Sequence, residues 1–431
     1  MTTSTIFALA SGAGRAALAV LRISGVDSAR ILHSLAGKLP PPRRASLRYL
    51  RDATGEVLDQ AIIVWFPAPG SYTGEDAAEL HLHGGPAVLS GVADALTALG
   101  ARPAEPGEFT RRAFLHGRLD LTEAEGIADL IAAETSQQRR QALAQAGGAL
   151  ARRSADWTAQ CARLLAHQEA AIEFADDDLP NDLGDRARTG SKALGAEIRA
   201  DLAEAPRGER LRDGLVIAIL GAPNAGKSSL LNVLAEREAA IVSPIAGTTR
   251  DIVEIRLDLG GVPVTLCDTA GLRETAEAIE GEGVRRALAR AERADLCLAL
   301  FAADVEPDPW TLALLGPDTV TIATKSDLGP PTISGALAIS TRTGAGIAAL
   351  RDTLTRAAAT RAGGEGLLTR PRHRAALNEA AEWLDQAAGA RHPELVAEAL
   401  RATLRSLGRL SGRVDVESIL DIVFKDFCIG K

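Results

Sequence analysis

The sequence predicts a multidomain fold of the α/β plus α class, in which a doubly wound α/β domain is inserted into a helical one. Residues 215–340 contain five short apolar runs, and helical segments separate several of them, as in a mostly parallel sheet. Ala-rich sequence with helical spacing lies on both sides of this region. A length of 431 residues indicates about two to four domains.

The first 118 residues read as strands and short loops. Runs bounded by glycine and proline predict strands at 18–24, 61–66 and 78–84. His81 and His83 lie two residues apart in the third run and would share one face of its strand. Two histidines without a cysteine make a poor metal site, so we expect them to have a structural role.

Helical sequence begins near residue 122, where Thr122 and Glu125 form a capping-box pattern. An apolar stripe follows, started by Ile127, Leu130 and Ile131. We expect helix from 122 to Phe174 with breaks, an acidic loop at 175–185, and more helix to about 205. Helix is expected again after Gly363-Gly364, to about 424.

A glycine-rich loop follows the first strand of the α/β region. The five strand candidates there are 215–220, 262–268, 295–301, 319–324 and 336–340. The loop Gly221–Ser228 reads G-x-x-x-x-G-K-S between a strand and a helix, which is the context that this motif requires. Gly221 and Gly226 let backbone N–H groups face phosphate oxygens, Lys227 reaches the outer phosphates, and the Ser228 hydroxyl can bind Mg²⁺. The pattern predicts a P-loop nucleotide site.

Four further motifs favour GTP over ATP. Asp268–Gly271 resembles the D-x-x-G element of small GTPases, and Gly247–Asp251 lies where a switch threonine belongs. In the motif Thr324–Asp327, the Asp327 carboxylate can accept hydrogen bonds from N1–H and the 2-amino group of guanine. Adenine lacks this pair of donors. Ser340–Arg342 resembles the element that closes over the base. The candidate nucleotide-binding residues are Asn224, Ala225, Gly226, Lys227, Ser228, Ser229, Thr248, Thr249, Asp268, Thr269, Ala270, Gly271, Thr324, Lys325, Asp327, Ser340, Thr341 and Arg342.

Two positions depart from the common GTPase pattern. Thr324 replaces the usual asparagine of the base-reading motif, and its smaller side chain predicts weaker nucleotide binding. Leu272 stands where Ras-type proteins carry a catalytic glutamine, and leucine cannot orient an attacking water. Hydrolysis must therefore recruit another polar group. The nearest candidates are Glu277, Glu280 and Glu282.

The composition of the whole chain excludes several classes of protein. A net charge of −8 argues against strong non-specific binding to nucleic acid. No apolar run reaches the roughly 18 residues of a membrane span, and the N-terminus lacks the features of a secretory signal. The four cysteines show no metal-ligand spacing, and the four tryptophans are too scattered for a base-stacking platform. We expect a reduced, cytoplasmic protein that does not bind membranes.

Several strings in the sequence resemble one protein family. PNAGKSSLLN, AGTTRD and DTAGLRE are shared among the G domains of the TrmE-Era-EngA-like GTPase superfamily. The segments outside the G domain resemble the MnmE (TrmE) family of tRNA uridine-5-carboxymethylaminomethyl modification GTPases. These segments are RISG at 22–25, SYTGEDAAELHLHGGPAVL at 71–89, EPGEFTRRAFLHGRLDLTEAEGIADLI at 105–131 and FCIGK at 427–431.

This resemblance implies a domain organisation and a reaction. The implied segments are an N-terminal α+β tetrahydrofolate-binding and dimerisation domain (1–118), a helical domain in two parts (119–210 and 363–431) and an inserted P-loop GTPase domain (211–362). The resemblance implies a homodimer that joins the FAD-binding partner MnmG in a heterotetramer or larger complex. With potassium-stimulated GTP hydrolysis, the complex would add an aminomethyl or carboxymethylaminomethyl group to the wobble uridine of certain tRNAs. The added carbon would come from a tetrahydrofolate derivative.

The resemblance also implies roles for particular residues. Folate-binding positions fall on Arg22, Glu79, Arg118 and Lys431. The catalytic glutamate aligns with Glu280, and Mg²⁺ would be held by Ser228 and Thr249. Potassium would be held by Asn224, Ser243, Ile245 and Thr248, with Ser243 also counted among the GTP-binding residues. This cation would supply positive charge near the β- and γ-phosphates, and head-to-head pairing of G domains would order the loops that hold it.

Three questions stay open at the level of the sequence. The thiolate of Cys428 could carry the one-carbon unit, or the thiol could be structural in a tail that closes the folate pocket. An Era-like regulatory switch in ribosome or RNA maturation is an alternative function, although it would need neither the folate-type N-terminal half nor the FCIGK tail. A folate-dependent aminomethyl transferase with a purely regulatory G domain is another.

Overall fold

The computed structural model describes residues 4–173, 183–237, 254–268, 293–364 and 366–414, together with 420, 427 and 430. Within it the chain divides into two compact units. The first unit comprises Met1–Ala128, Ala146–Asp156 and Leu407–Lys431, and the second comprises Asp129–Gln145 and Trp157–Ser406. No helix in the described ranges is both long enough and apolar enough to cross a membrane.

The first unit contains a six-stranded mixed sheet. Its strands are β1 (Ile6–Leu9), β2 (Ala16–Ser24), β3 (Ser46–Arg51), β4 (Val57–Phe66), β5 (Ala77–Gly84) and β6 (Arg102–Pro103). They follow the order β3-β4-β5-β2-β1-β6, and every neighbouring pair is antiparallel except β1 with β6. The three predicted strands correspond to β2, β4 and β5.

Helices cover one face of this sheet, a feature that the strand-and-loop interpretation of residues 1–118 missed. The covering helices are α1 (Ser28–Ala36) and α2 (Pro86–Ala98). Two further helices, α3 (Glu108–Leu115) and α4 (Leu121–Ala132), follow in the chain. Leu32 of α1 and Leu96 of α2 are fully buried in one core with Ile63 and Leu80 of the sheet. This core uses one side of each strand, and on the opposite side Ile6 and Ala8 of β1 pack in a smaller cluster with Phe109 of α3.

The start of α4 corrects the predicted capping box. The Glu123 backbone N–H donates to Asp120 Oδ1 at 2.9 Å, and the Asp120 backbone N–H donates to Glu123 Oε2 at 2.8 Å. This reciprocal pair caps the helix two residues earlier than Thr122 and Glu125 would, and both of those residues lie buried inside the helix. The predicted stripe is also incomplete, since Ile131 is 44% exposed.

Three long helices precede the second sheet. They are α5 (Ser136–Ala146), α6 (Ala149–Glu173) and α7 (Leu183–Asp213). The last one continues beyond the expected end near 205 and includes Pro206. The predicted end at Phe174 and most of the acidic loop 175–185 lie outside the described residues.

The second unit holds a doubly wound sheet, as the sequence predicted. Its strands are β7 (Leu215–Gly221), β8 (Glu254–Leu259), β9 (Val262–Asp268), β10 (Leu296–Ala302), β11 (Thr319–Thr324) and β12 (Leu337–Ala338). They follow the order β12-β11-β10-β7-β9-β8, and only β8 runs antiparallel to its neighbour. The associated helices are α8 (Lys227–Arg237), α9 (Pro309–Ala313) and α10 (Ile347–Ala362). The prediction missed β8, and β12 is shorter than the run 336–340.

Two helices follow the sheet, α11 (Pro371–Gly389) and α12 (Pro393–Ser411). The first packs against α7, where the Arg199 guanidinium donates to the Ala381 carbonyl at 3.3 Å and pairs with Asp385. Helical segments that lie before and after the sheet in sequence are therefore neighbours in the fold. Helix α12 ends before the predicted limit near 424, whose neighbourhood lies outside the described residues.

Candidate functional sites

The loop between β7 and α8 has the backbone of a phosphate-binding turn. Gly221 has φ of +152°, and a Cβ there would lie 2.7 Å from the Leu300 carbonyl oxygen, so only glycine fits. Asn224 adopts the left-handed conformation with φ of +65°, which asparagine tolerates better than most residues. The sequence motif thus gives the local geometry that it predicted.

Lys227 opens α8 and points back into this loop. Its ammonium donates to the carbonyls of Gly221 at 2.7 Å and Ala222 at 2.8 Å, and the residue is 7% exposed. The exposed Ser228 and Ser229 follow in the first turn of the helix. The positive end of the helix and this ammonium both favour a bound phosphate group.

Thr324 connects the base-reading motif to the P-loop. Its hydroxyl lies 2.7 Å from the Ala225 carbonyl oxygen and 3.3 Å from that of Phe301, and the residue is buried. A threonine hydroxyl has one hydrogen to donate, whereas an asparagine amide has two. The link to the P-loop is therefore preserved, while the predicted weaker binding of nucleotide stays a prediction.

Asp327 is held by the fifth nucleotide motif. The buried Ser340 donates its hydroxyl to Asp327 Oδ1 at 2.7 Å, and Arg342 Nη1 lies 3.8 Å from Oδ2. The hydrogen bond from Ser340, aided by the charge of Arg342, lowers the pKa of Asp327 below its ordinary value. The carboxylate is therefore ionised at neutral pH, as an acceptor for guanine must be.

Three of the predicted nucleotide motifs therefore meet at the edge of the parallel sheet where the carboxyl ends of its strands lie. They are the P-loop, Thr324–Asp327 and Ser340–Arg342. Asp268 ends β9 opposite Ile219 of β7, and its side chain is not among the described ones. The remaining predicted nucleotide, cation and catalytic residues lie outside the described ranges; they are Ser243, Ile245, Thr248, Thr249, Thr269, Ala270, Gly271, and Glu280 with its neighbours Leu272, Glu277 and Glu282.

On the face of the first sheet opposite α1 and α2, Arg22 of β2 lies directly opposite Glu79 of β5. Arg22 Nη2 and Nε donate to Glu79 Oε1 at 2.8 and 3.2 Å, and both side chains are half-buried. A cavity of about 140 Å³ adjoins the pair and is also lined by Tyr72, Thr73 and Phe66. Two of the predicted folate-binding residues therefore share one cavity.

Aromatic rings support the arginine of this pair. The Arg22 guanidinium lies 5.6 Å from the centre of the Tyr72 ring and 5.8 Å from that of Phe109, within the range of a cation–π contact. The Tyr72 hydroxyl lies 2.8 Å from Thr110 Oγ1, and burial raises the pKa of this phenol. The site is therefore built from a fixed ion pair and a neutral aromatic wall.

A buried network holds the loop that lines the cavity, and sequence reasoning did not identify it. Glu75 Oε2 accepts from Ser24 Oγ at 2.9 Å and from Arg112 Nη1 at 3.0 Å. Arg112, which is 2% exposed, also donates to Glu108 Oε1 at 2.8 Å. Glu108 and Arg112 are visible in the sequence as charged residues of EPGEFTRR, but only the fold shows that the two charges are paired in the interior.

Of the two remaining predicted folate-binding residues, Arg118 and Lys431, the structure describes only Arg118. The stem of the exposed Arg118 lies beside Gly74, where an added Cβ would be 3.3 Å from Arg118 Cγ. Gly430 packs against the end of β1, since its Cβ would lie 2.2 Å from the Leu9 carbonyl oxygen. Lys431 and Cys428 lie outside the described residues.

His81 and His83 share one face of β5, as predicted. His83 Nδ1 lies 2.7 Å from Asp59 Oδ1, and the His83 backbone N–H donates to Asp59 Oδ2 at 2.9 Å. His81 Nε2 lies 3.6 Å from Glu79 Oε2. Asp59 is the partner that the sequence did not reveal, because it belongs to the neighbouring strand.

Two family profiles match the chain. The profile of the MnmE helical domain covers residues 121–428, and that of the N-terminus of the GTP-binding protein TrmE covers residues 5–118. Several curated relatives are named tRNA modification GTPase MnmE. The chain is 58% identical to that of Gluconacetobacter diazotrophicus, over 99% of this chain and 98% of the relative. It is 55% identical to that of Granulibacter bethesdensis, over the full length of both chains.

Among solved structures, the chain is similar to a variant of Era from Aquifex aeolicus bound to GDP and aluminium fluoride. The TM-score is 0.27 at 23% identity, with 42% of this chain and 69% of the other covered.

Proposed function

The chain belongs to the MnmE family of tRNA modification GTPases, and we propose that its GTP hydrolysis drives modification of the wobble uridine of certain tRNAs. The reaction would add an aminomethyl or carboxymethylaminomethyl group, whose carbon comes from a tetrahydrofolate derivative. The observation that carries this proposal is the presence, in one chain, of a P-loop with a guanine-type motif and of the Arg22–Glu79 cavity.

The roles of the nucleotide-site residues follow from their chemistry. Backbone N–H groups of Asn224–Gly226 and the start of α8 would face the phosphates, and Lys227 would exchange its loop carbonyls for phosphate oxygens. Asp327 would read the guanine edge, and Thr324 would keep that motif against the P-loop. The backbone of Ser340–Arg342 would close over the base.

The cation sites belong to the same proposal. The exposed Ser228 hydroxyl at the start of α8 is a suitable oxygen donor for Mg²⁺, with Thr249 as its partner. Asn224, which is exposed in the loop, would contribute to potassium binding with Ser243, Ile245 and Thr248. Potassium would supply positive charge beside the phosphates, and Glu280 would orient the attacking water.

The folate proposal is supported by the donor set around the 140 Å³ cavity. Glu79 engages Arg22 through Oε1, so Oε2 can accept from an amino group of a pterin ring. Tyr72 and Phe66 offer flat apolar surfaces for such a ring. Arg118 and Lys431 would provide positive charge for the glutamate tail of the folate.

The proposal also includes the assembly in which the protein acts. A homodimer formed through residues 1–118 would join the FAD-binding protein MnmG in a heterotetramer or larger complex in the cytoplasm and act on tRNA. The segments 119–210 and 363–431 would form one helical domain around the G domain 211–362, which is supported by the packing of α7 against α11. Cys428 would either carry the one-carbon unit or serve as a structural thiol of the tail.

An Era-like switch in ribosome or RNA maturation is not supported as the main function. The match to the TrmE N-terminus and the Arg22–Glu79 cavity are features that such a switch would not need. A transferase whose G domain is only regulatory makes a different prediction: modification would continue without hydrolysis of GTP.

The complete reaction tests the proposal. Purified protein, the FAD-binding partner, unmodified tRNA, methylene-tetrahydrofolate, an ammonium donor and GTP are combined, and the mass of the wobble nucleoside is measured. The added aminomethyl group should appear only when folate and GTP are both present. A non-hydrolysable GTP analogue that supports full modification would favour the regulatory transferase, and an unchanged nucleoside in the complete mixture would contradict the proposal.

A further inference from the structure

Within the base-reading motif, Lys325 has a backbone conformation that is rare for its residue type. Its φ of +55° lies in the left-handed region, which non-glycine residues seldom occupy. Neighbouring hydrogen bonds fix this conformation. The Ala303 N–H donates to the Thr324 carbonyl at 3.0 Å, and the Leu328 N–H donates to the Lys325 carbonyl at 2.8 Å. Backbone strain of this kind is typical of ligand sites.

An acidic residue from the neighbouring strand end holds the side chain of Lys325. Its ammonium lies 2.9 Å from Asp304 Oδ2 and 3.1 Å from Oδ1, so it contacts both carboxylate oxygens. The two residues approach because β10 and β11 run parallel with Ala302 opposite Thr324. The hydrogen bond from Lys325 lowers the pKa of Asp304, because it stabilises the charged form of the carboxylate.

This ion pair lies next to the P-loop. Lys325 directly follows Thr324, whose hydroxyl contacts the Ala225 carbonyl. A lysine stem has four flexible carbon–carbon bonds, so it loses much rotamer freedom when it is ordered against a ligand. A carboxylate that already fixes the ammonium reduces the freedom that remains to be lost on binding.

We propose that Asp304 is a positioning residue for guanine-nucleotide binding, which acts by holding the Lys325 side chain alongside the base site. The inference rests on the proposed nucleotide site at Thr324–Asp327 and adds to it a residue outside the nucleotide motifs. Asp304 is not itself expected to contact the nucleotide.

A double-mutant cycle on the full-length protein tests this role, with the dissociation constant of a fluorescent GDP analogue as the readout. Asp304→Asn should weaken GDP binding by about fivefold, since a partly exposed ion pair contributes modestly. Lys325→Met should weaken it further. In the Lys325→Met background, Asp304→Asn should have no additional effect, because Asp304 acts through the lysine.

Two controls separate the possible causes. Asp318→Asn breaks another surface ion pair of the same unit, with Arg361, and should bind GDP like the original protein. Asp327→Asn should abolish the preference for guanine over adenine; if it does not, the proposed nucleotide site fails, whatever Asp304 does. The inference on Asp304 is overturned if Asp304→Asn binds GDP equally or more tightly, if its effect adds to that of Lys325→Met, or if Asp318→Asn weakens binding as much.

Discussion

At the scale of single residues, the two candidate sites use ion pairs in different ways. Arg22 and Glu79 pair across two strands and leave one carboxylate oxygen beside a cavity. Arg112, in contrast, is buried between Glu75 and Glu108. The first arrangement can exchange partners with a ligand, whereas the second one holds a loop in place.

Replacement of Glu79 tests the first arrangement. Glu79→Gln should weaken tetrahydrofolate binding by about 10- to 100-fold, because a charged hydrogen bond contributes about 1.5–3 kcal/mol. Isothermal titration with tetrahydrofolate measures the loss, and GTP hydrolysis should be unchanged. Glu56→Gln, at an exposed position of the same unit, serves as the matched control. Undiminished folate binding by Glu79→Gln would remove this residue from the site.

The buried network predicts a pH dependence. Burial alone would raise the pKa of Glu108, but the hydrogen bonds from Arg102, the Glu105 backbone and Arg112 outweigh it and lower this pKa below its ordinary value. A carboxyl group with a lowered pKa in the folded state stabilises the fold above its unfolded pKa, and this contribution is lost as the pH falls through the folded pKa.

Hydrogen exchange of the segment 102–115, followed by mass spectrometry, measures this effect. Protection should fall as the pH drops from about 4.5, the ordinary pKa of a glutamate, through the lower pKa of Glu108 in the folded state. Glu108→Gln should already reduce protection at pH 7 and should flatten the dependence on pH, after correction for the intrinsic exchange rate. Equal acid sensitivity in Glu108→Gln would show that other groups are responsible.

At the scale of elements, α5 joins several passages of the second unit. Gln137 donates its side-chain amide to the Gly260 carbonyl at 2.7 Å, and Gln138 donates to that of Arg212 at 2.9 Å. Gln141 donates to the carbonyls of Gly208 at 3.1 Å and Gly366 at 3.2 Å. One helix thus contacts the β8–β9 turn and the chain segments that lead into and out of the second sheet.

Gln141→Leu tests the contribution of this helix. The substitution removes the donor to two carbonyl groups and should lower the stability of this region by about 1–3 kcal/mol. Faster hydrogen exchange in 204–213 and 366–374 would report the loss. Arg140→Ala, at an exposed position of the same helix, should leave both segments unchanged. If both variants exchange like the original protein, the amide of Gln141 does not hold these segments.

At the scale of the whole molecule, the proposed cycle depends on pairing of two G domains around potassium. Hydrolysis of GTP should therefore be several-fold faster in potassium than in sodium at equal ionic strength. Glu280→Ala should abolish this stimulation, since Glu280 is proposed to orient the attacking water. Phosphate release is the readout, and Glu236→Ala is a control on α8. Equal rates in both salts would mean that the protein waits for a separate activating partner.

Motifs of consecutive residues could be predicted from the sequence because their chemistry is local. The P-loop from Gly221 to Ser228, the doubly wound sheet around it and the motif at Thr324–Asp327 follow from short-range patterns of glycine, charge and apolar residues. The strands β2, β4 and β5 were equally accessible. The resemblance at Arg22 and Glu79 selected two residues that the fold brings into contact.

Only the tertiary structure decided which distant residues are partners. The burial of Arg112 between Glu75 and Glu108 and the contacts of Asp59 with His83 and of Asp304 with Lys325 all depend on how separate segments meet. Strand β8 and helices α1 to α3 were missed; β8, α1 and α3 have at most nine residues, and a segment this short resembles a loop until a core gives it a side to bury. A local sequence pattern determines the backbone conformation and the chemistry of the side chains in a segment. Contacts between side chains that are 20 or more residues apart depend on strand order and packing, which no short stretch of sequence encodes.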